Sequence, residues 1–157
     1  MLKISRKMSI TLSMIIAVAF FVVCISGVFL MPKLVEMLID LPDNIGNRGA
    51  ITDGERMLIL IIAYAILTVT MSAVVMMFLL LMRVYHGRVF TPQSVGFIRG
   101  VSWCCFLLCL FFGVLGTYFQ LSIIVALAAI FLGLCLRVVK NVIEEATEIK
   151  MENDLTV

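Results

Sequence analysis

Charged residues are scarce in this chain of 157 residues. They form 14% of it, against about 25% in an average soluble domain, whereas 63% of the residues are hydrophobic. Twelve basic and ten acidic side chains cannot coat a core of that size, and the mean hydropathy is +1.19. The composition therefore excludes an ordinary water-soluble globule, a disordered chain and a disulfide-rich secreted module. A polytopic membrane protein is the class that remains.

Charges are missing altogether from three long stretches. Ile10–Met31 has 22 residues, Met57–Met82 has 26 and Val101–Leu136 has 36, whereas one helical crossing needs about 20. The third stretch must therefore fold back, and Thr117–Ser122 is the expected corner because it holds the only Gln there and a Tyr. We expect an all-α membrane protein with four transmembrane helices. Their predicted spans are 10–31, 57–82, 101–119 and 121–136.

The predicted spans also lack the groups that carry chemistry. They contain no Asp, Glu, Lys, Arg or His, which argues against a pump, a proton-coupled transporter and an enzyme. No motif of a metalloprotease, a serine hydrolase or a phosphate-binding loop occurs. Cys105 and Cys109 lie one helical turn apart, but no His or carboxylate joins them as a metal ligand, so a packing role is favoured. No cofactor is predicted.

Basic residues are unevenly distributed between the two sides of the predicted membrane. Nine lie in the N-terminus, the segment 83–100 and the tail, whereas three lie in the segment 32–56 together with five acids. Because basic residues accumulate on the cytoplasmic side, both termini are predicted to be cytoplasmic, with 32–56 as an external loop and 83–100 as a cytoplasmic loop. This topology accounts for the net positive charge, and no basic stripe with interleaved aromatics indicates direct nucleic-acid binding.

Local signals place the ends of the helices. Pro32 opens the external segment, and the apolar spacing after it predicts a short helix lying at the interface. Thr52 and Glu55 form a capping box for the second span. Thr91 with Pro92 marks the start of the third helix.

Small and polar residues at helical spacing predict how the spans pack. The third and fourth helices should make a tight hairpin, because each carries a ridge of small residues: Cys105, Cys109, Gly113 and Thr117 on the third, and Val125, Ala129 and Gly133 on the fourth. The second span carries a polar seam, defined as Tyr64, Thr68 and Ser72. Interhelical hydrogen bonding is its simpler role, and the lining of a small-ligand pocket is the alternative.

The segment 137–150 predicts an amphipathic tail helix that continues the fourth span. Such a helix needs a cover, which is the membrane surface, a second copy in a homo-oligomer or a soluble protein. Its acidic face disfavours anionic lipid and so favours protein. The predicted partner-binding surface combines three arginines near the third helix with three acids of the tail: Arg83, Arg88, Arg99, Glu144, Glu145 and Glu148.

Two motifs carry a family resemblance. Residues 87–94, Gly-Arg-Val-Phe-Thr-Pro-Gln-Ser, lead into the third span, and residues 152–157, Glu-Asn-Asp-Leu-Thr-Val, close the chain. With the four-span plan they resemble the YoaS-like family of uncharacterised bacterial membrane proteins, which are often encoded beside a small helix-turn-helix regulator. The resemblance implies the bacterial plasma membrane and a cytoplasmic regulator as partner, but no activity and no catalytic residue.

The expected function is therefore that of a regulatory or interaction protein in the membrane. Two alternatives remain open. One is a small transporter or channel subunit that oligomerises around the polar seam, and the other is an immunity protein against a membrane-active toxin.

Overall fold

Four long helices account for nearly all of the structure, a computed structural model that describes residues 6–40, 51–87 and 90–155. The helices are α1 (Arg6–Ile39), α2 (Asp53–Tyr85), α3 (Pro92–Leu115) and α4 (Leu121–Leu155). Each is long and apolar enough to cross a membrane. The prediction of an all-α protein with four membrane-spanning helices is confirmed.

The helices lie in a row and do not close into a bundle. α1 packs on α2, α2 on α3, and α3 on α4. Within the described residues, no Cα–Cα pair within 8 Å joins α1 to α3 or joins α4 to α1 or α2. The two inner helices therefore each contact two neighbours, whereas the outer faces of α1 and α4 are left uncovered.

The two ends of the row differ in what they carry. We call the end where α1 begins and α4 finishes the terminal end, and the opposite one the loop end. At the loop end, the Glu55 carboxylate accepts a hydrogen bond of 2.8 Å from the backbone N–H of Thr52, as the capping box predicts. It accepts a second one of 2.8 Å from the Thr52 hydroxyl. At the terminal end, the backbone N–H of Ser94 donates to the Thr91 hydroxyl at 3.3 Å, which starts α3 at Pro92.

Pro32 does not end the first span. α1 runs through it to Ile39, so the prediction of a separate interfacial helix from residue 32 is wrong. Proline removes the N–H that would bond to the carbonyl of Val28, four residues earlier. The hydroxyl of Tyr64 on α2 donates to that carbonyl at 3.3 Å and replaces the missing donor. Residues 41–50 of the predicted external loop lie outside the described part of the chain.

The buried apolar cluster at the loop end sets the height of α1 against the other helices. Val35 belongs to one buried cluster with Ile59 of α2 and with Leu115 and Phe119, which lie at the end of α3 and in the turn after it. Pro32 therefore lies closer to the terminal end than the α3–α4 turn does. Because that turn marks the far side of the hairpin, the apolar part of α1 extends past residue 31.

α4 is longer than a membrane is thick. It begins after a turn at 116–120, inside which most of the predicted corner falls, and its 35 residues measure about 52 Å. About 20 residues suffice to cross the hydrocarbon. We therefore treat residues 121–140 as the spanning part and call residues 141–155 the α4 extension. The predicted tail helix is thus continuous with the fourth span.

Candidate functional site

A cluster of charged and aromatic side chains lies at the terminal end of the α3–α4 hairpin. On α3 the contributing residues follow one face at intervals of three and four, and on α4 they do the same. The α3 residues are Arg99, Ser102, Trp103 and Phe106, and the α4 residues are Gly133, Arg137, Lys140 and Glu144. We call Arg99, Arg137 and Lys140 the basic cluster.

Glu144 joins two of the three cations. Its carboxylate pairs with the Arg99 guanidinium at 3.2 Å across the helix interface and with the Lys140 ammonium one turn earlier on α4. Lys140 also donates to the Asn141 side-chain oxygen at 3.2 Å. The hydrogen bond from Lys140, and next the charges of Lys140 and Arg99, hold the pKa of Glu144 below its ordinary value. The start of the α4 extension is thereby tied to α3.

Arg137 has a different environment. Its guanidinium carbon lies 5.7 Å from the ring centre of Trp103 and 5.7 Å from that of Phe106. Among the described residues, no carboxylate lies within ion-pair distance of Arg137. Tryptophan and arginine are typical of the membrane–water interface, where the ring faces lipid and the cation faces headgroups. The charge of Arg137 is therefore not neutralised by the chain around it.

Close backbone approach beneath the cluster fixes its geometry. The buried Ser102 hydroxyl donates to the Gly133 carbonyl at 2.9 Å. A methyl group added to Gly133 would lie 3.2 Å from the β-carbon of Cys105, so only glycine allows this spacing without movement. Above this contact the helices leave a cleft of about 60 Å³, lined by Arg99, Ser102, Trp103, Arg137 and Lys140.

The predicted partner-binding residues do not form one surface. Arg99 and Glu144 bind each other, and the Arg83 guanidinium lies 5.4 Å from the ring centre of Phe97 on α3. Arg88 lies outside the described residues. Glu145 and Glu148 are exposed on the α4 extension, and within the described residues neither is in an ion pair.

The three residues of the polar seam on α2 also differ in their hydrogen-bond partners. Tyr64 reaches α1, but the Thr68 hydroxyl donates to the Tyr64 carbonyl and the Ser72 hydroxyl to the Thr68 and Val69 carbonyls of the same helix. Thr68 and Ser72 are exposed. The prediction of interhelical hydrogen bonds is therefore wrong for both, because a hydroxyl on a helix reaches the carbonyl one turn earlier before it reaches a neighbour.

The small-residue ridges need a similar correction. Cys105 opposes Gly133 as expected, and Cys109 and Ala129 are half-buried. Gly113 is exposed, and a methyl group added there would meet no described atom within 4 Å, so it lies off the interface. Val125 is exposed as well, and the buried seam of α4 uses alternating intervals of four and three: Ser122, Ala126, Ala129 and Gly133. A repeat of four drifts around a helix of 3.6 residues per turn, whereas the alternating repeat stays on one face.

Two features were not predicted from the sequence. The first is the placement of Arg137 over Trp103, which depends on the register of the hairpin. The sequence indicates only the α3 part of this cluster, through the i,i+4 spacing of Arg99 and Trp103. A groove of about 620 Å³ between α1 and α2 at the terminal end, with Met14, Val18, Phe78 and Met82 in its walls, had no signal beyond apolar faces. Among the described residues, no three His, Cys, Asp or Glu side chains are grouped to hold a metal ion.

Comparison with protein families places most of the chain. Residues 44–157 match the family model described as a protein of unknown function, DUF2975. The chain belongs to this family. The match includes α2, α3 and α4, and hence the whole charged cluster, whereas α1 precedes it. No curated protein and no solved structure matches the chain.

Proposed function

We propose that this protein anchors a soluble protein partner with a basic surface to the bacterial plasma membrane, and that the partner binds the α4 extension. The four apolar helices supply the anchor. The charge asymmetry of the sequence supports a cytoplasmic terminal end, since nine of the twelve basic residues belong to it. The resemblance to a family encoded beside small helix-turn-helix regulators supports a DNA-binding regulator as the partner.

The observation that carries the proposal is an uncovered apolar stripe. Val138, Val142 and Ile149 share one face of α4, and their exposed fractions are 64%, 61% and 54%. This face points away from α3, which packs against the Lys140 and Thr147 side of the helix. Because Val142 and Ile149 lie beyond the spanning part of α4, lipid chains do not cover them when the helix stands upright. An apolar stripe that is exposed outside the membrane indicates an interaction surface.

Charge decides which cover fits the stripe. Glu145 and Glu148 lie along one edge of it, exposed and without an ion pair in the described residues. Acidic side chains are repelled by an anionic bacterial membrane surface, so the α4 extension does not lie flat on lipid. They attract a partner whose apolar patch has basic residues at its rim, and such a rim is common on proteins that bind nucleic acid.

Site-specific photo-crosslinking in living cells tests the proposal. A photoreactive phenylalanine derivative replaces Ile149 in the stripe or, as the matched control, Phe131, which lies on the same face within the membrane. We expect the probe at position 149 to capture one discrete soluble protein and the probe at position 131 to capture none. Capture only of a second copy of the chain, or only of lipid, at position 149 would overturn the proposal.

Charge reversal then tests the recognition itself. The double variant Glu145→Lys with Glu148→Lys should abolish the crosslink from position 149. Glu36→Lys removes an exposed acid at the opposite end of the molecule and should leave the crosslink intact. An undiminished crosslink in the double variant would show that acidic recognition is not the basis of binding.

A further inference from the structure

The basic cluster has a surplus of positive charge at the level of the lipid headgroups. The three cations Arg99, Arg137 and Lys140 have one carboxylate near them, that of Glu144, which pairs with Arg99 and Lys140 only. The described part of the cluster therefore has two positive charges more than it has negative ones. Arg137 is exposed, and the side chain of Arg99 is 58% exposed. A pair of helices that carries unneutralised cations at the headgroup level is suited to bind an anion there.

The size of the cleft limits what enters it. A volume of about 60 Å³ accommodates about four water-sized groups. This matches the oxygens of one phosphate group. Arginine and lysine donors from two helices converge on the cleft, and guanidinium groups pair well with phosphate oxygens.

The surface below the cleft accommodates acyl chains. Trp103 is 56% exposed, and Leu107 and Leu110 follow it along the same side of α3. On α4, Ile130 and Leu134 lie along the side that carries Arg137, and both are exposed. A molecule with a phosphate in the cleft and two hydrocarbon chains directed toward the loop end would contact both strips at once.

We infer that the terminal end of the α3–α4 hairpin is a binding site for the phosphate of an anionic phospholipid. The phosphate lies among Arg99, Arg137 and Lys140, and the acyl chains lie against Trp103 and the apolar strips below it. This site is separate from the stripe of the α4 extension and does not depend on the proposed protein partner.

The only tryptophan of the chain lines the cleft, so the native protein carries its own probe. The full chain is reconstituted into vesicles of equal phosphatidylglycerol and phosphatidylcholine, and either one or the other lipid has brominated acyl chains, which quench tryptophan fluorescence. We expect brominated phosphatidylglycerol to quench Trp103 more strongly than brominated phosphatidylcholine. Equal quenching by the two lipids would overturn the inference.

Variants separate a specific site from general attraction to the membrane. Arg99→Gln and Arg137→Gln should each lower the preference for phosphatidylglycerol about fivefold, the factor that corresponds to ~1 kcal/mol per basic residue at 25 °C. Arg99→Gln leaves the contact of Arg137 with the Trp103 and Phe106 rings in place. Arg137→Lys should keep much of the preference that Arg137→Gln loses. Arg83→Gln is the matched control, since it removes the same charge and a similar ring contact outside the cleft.

The remaining outcomes are equally decisive. If Arg83→Gln lowers the preference as much as Arg137→Gln does, surface charge alone attracts the lipid and the site is refuted. If the two lipids quench Trp103 equally but inorganic phosphate changes the Trp103 fluorescence of the native chain and not that of Arg137→Gln, the cleft takes free phosphate and the lipid assignment is overturned. Far-ultraviolet circular dichroism of each variant confirms that the compared proteins are folded.

Discussion

The hydrogen bond between Tyr64 and Val28 offers a quantitative test of how α1 passes through Pro32. The Val28 carbonyl lacks its helical donor because residue 32 is proline, and the Tyr64 hydroxyl occupies that role at 3.3 Å. Hydrogen bonds between membrane helices contribute about 0.6 kcal/mol on average, and a carbonyl that has neither water nor a donor costs ~1–3 kcal/mol. Since this bond is long, Tyr64→Phe should lower the free energy of unfolding by about 1 kcal/mol.

The second half of the test changes the proline. In a Pro32→Ala background, the backbone N–H regained at position 32 donates to the Val28 carbonyl, so the tyrosine hydroxyl is no longer needed. Tyr64→Phe should then cost close to zero, and the cycle should give a coupling of roughly 1 kcal/mol. Tyr118→Phe is the control, because no described hydrogen bond of its hydroxyl involves α1.

Unfolding by detergent titration in mixed micelles, followed by Trp103 fluorescence, measures all of these variants. A cost of Tyr64→Phe that is the same with Pro32 and with Ala at that position would refute the reasoning. It would mean that the hydroxyl acts through packing or hydration and not through the carbonyl that proline leaves without a donor.

Two further predictions concern the α3–α4 hairpin. In a thermal unfolding assay, Gly133→Val should lower the midpoint by an amount equivalent to about 1–3 kcal/mol, because its β-carbon would lie 3.2 Å from that of Cys105. Gly113→Val adds its side chain to open space and should cost clearly less. Equal losses in the two variants would contradict the contact between Gly133 and Cys105. The lowered pKa of Glu144 means that its pairs stabilise the fold above the ordinary glutamate pKa and are lost as the pH falls through the pKa of the folded state. The native chain should therefore lose thermal stability on acidification more than Glu144→Gln does, and identical pH profiles would show that the pairs of Glu144 with Lys140 and Arg99 contribute nothing.

Some of the fold could be predicted because it follows from composition along the chain. The 36 charge-free residues of Val101–Leu136 exceed one crossing, so a turn within them was required, and the structure has it at 116–120. Thr91 with Pro92 also marked the start of α3 correctly, because a helix start depends on neighbours within a few residues. Predictions of this kind need no knowledge of what lies across the interface.

Pro32 shows where such reasoning stops. From the sequence, Pro32 predicts the end of the first span, since proline removes a helical donor. Whether the helix ends there depends on another donor, and that donor comes from Tyr64, 36 positions along the chain. The charged cluster has the same origin, because Arg137 and Trp103 meet only when α3 and α4 have one particular register.

The sequence by itself determined that this is a membrane protein, that it has four helices and where most of them begin. The reason is that lipid forces each span to form its own backbone hydrogen bonds. The tertiary structure alone decided that the helices form an open row, that Gly133 and not Gly113 lies at the tight contact, and that Arg99, Arg137 and Lys140 surround one cleft. Each of these depends on the rotation and height of one helix against another. Apolar residues on every face of a span leave both of those quantities undetermined, and only the packed side chains set them.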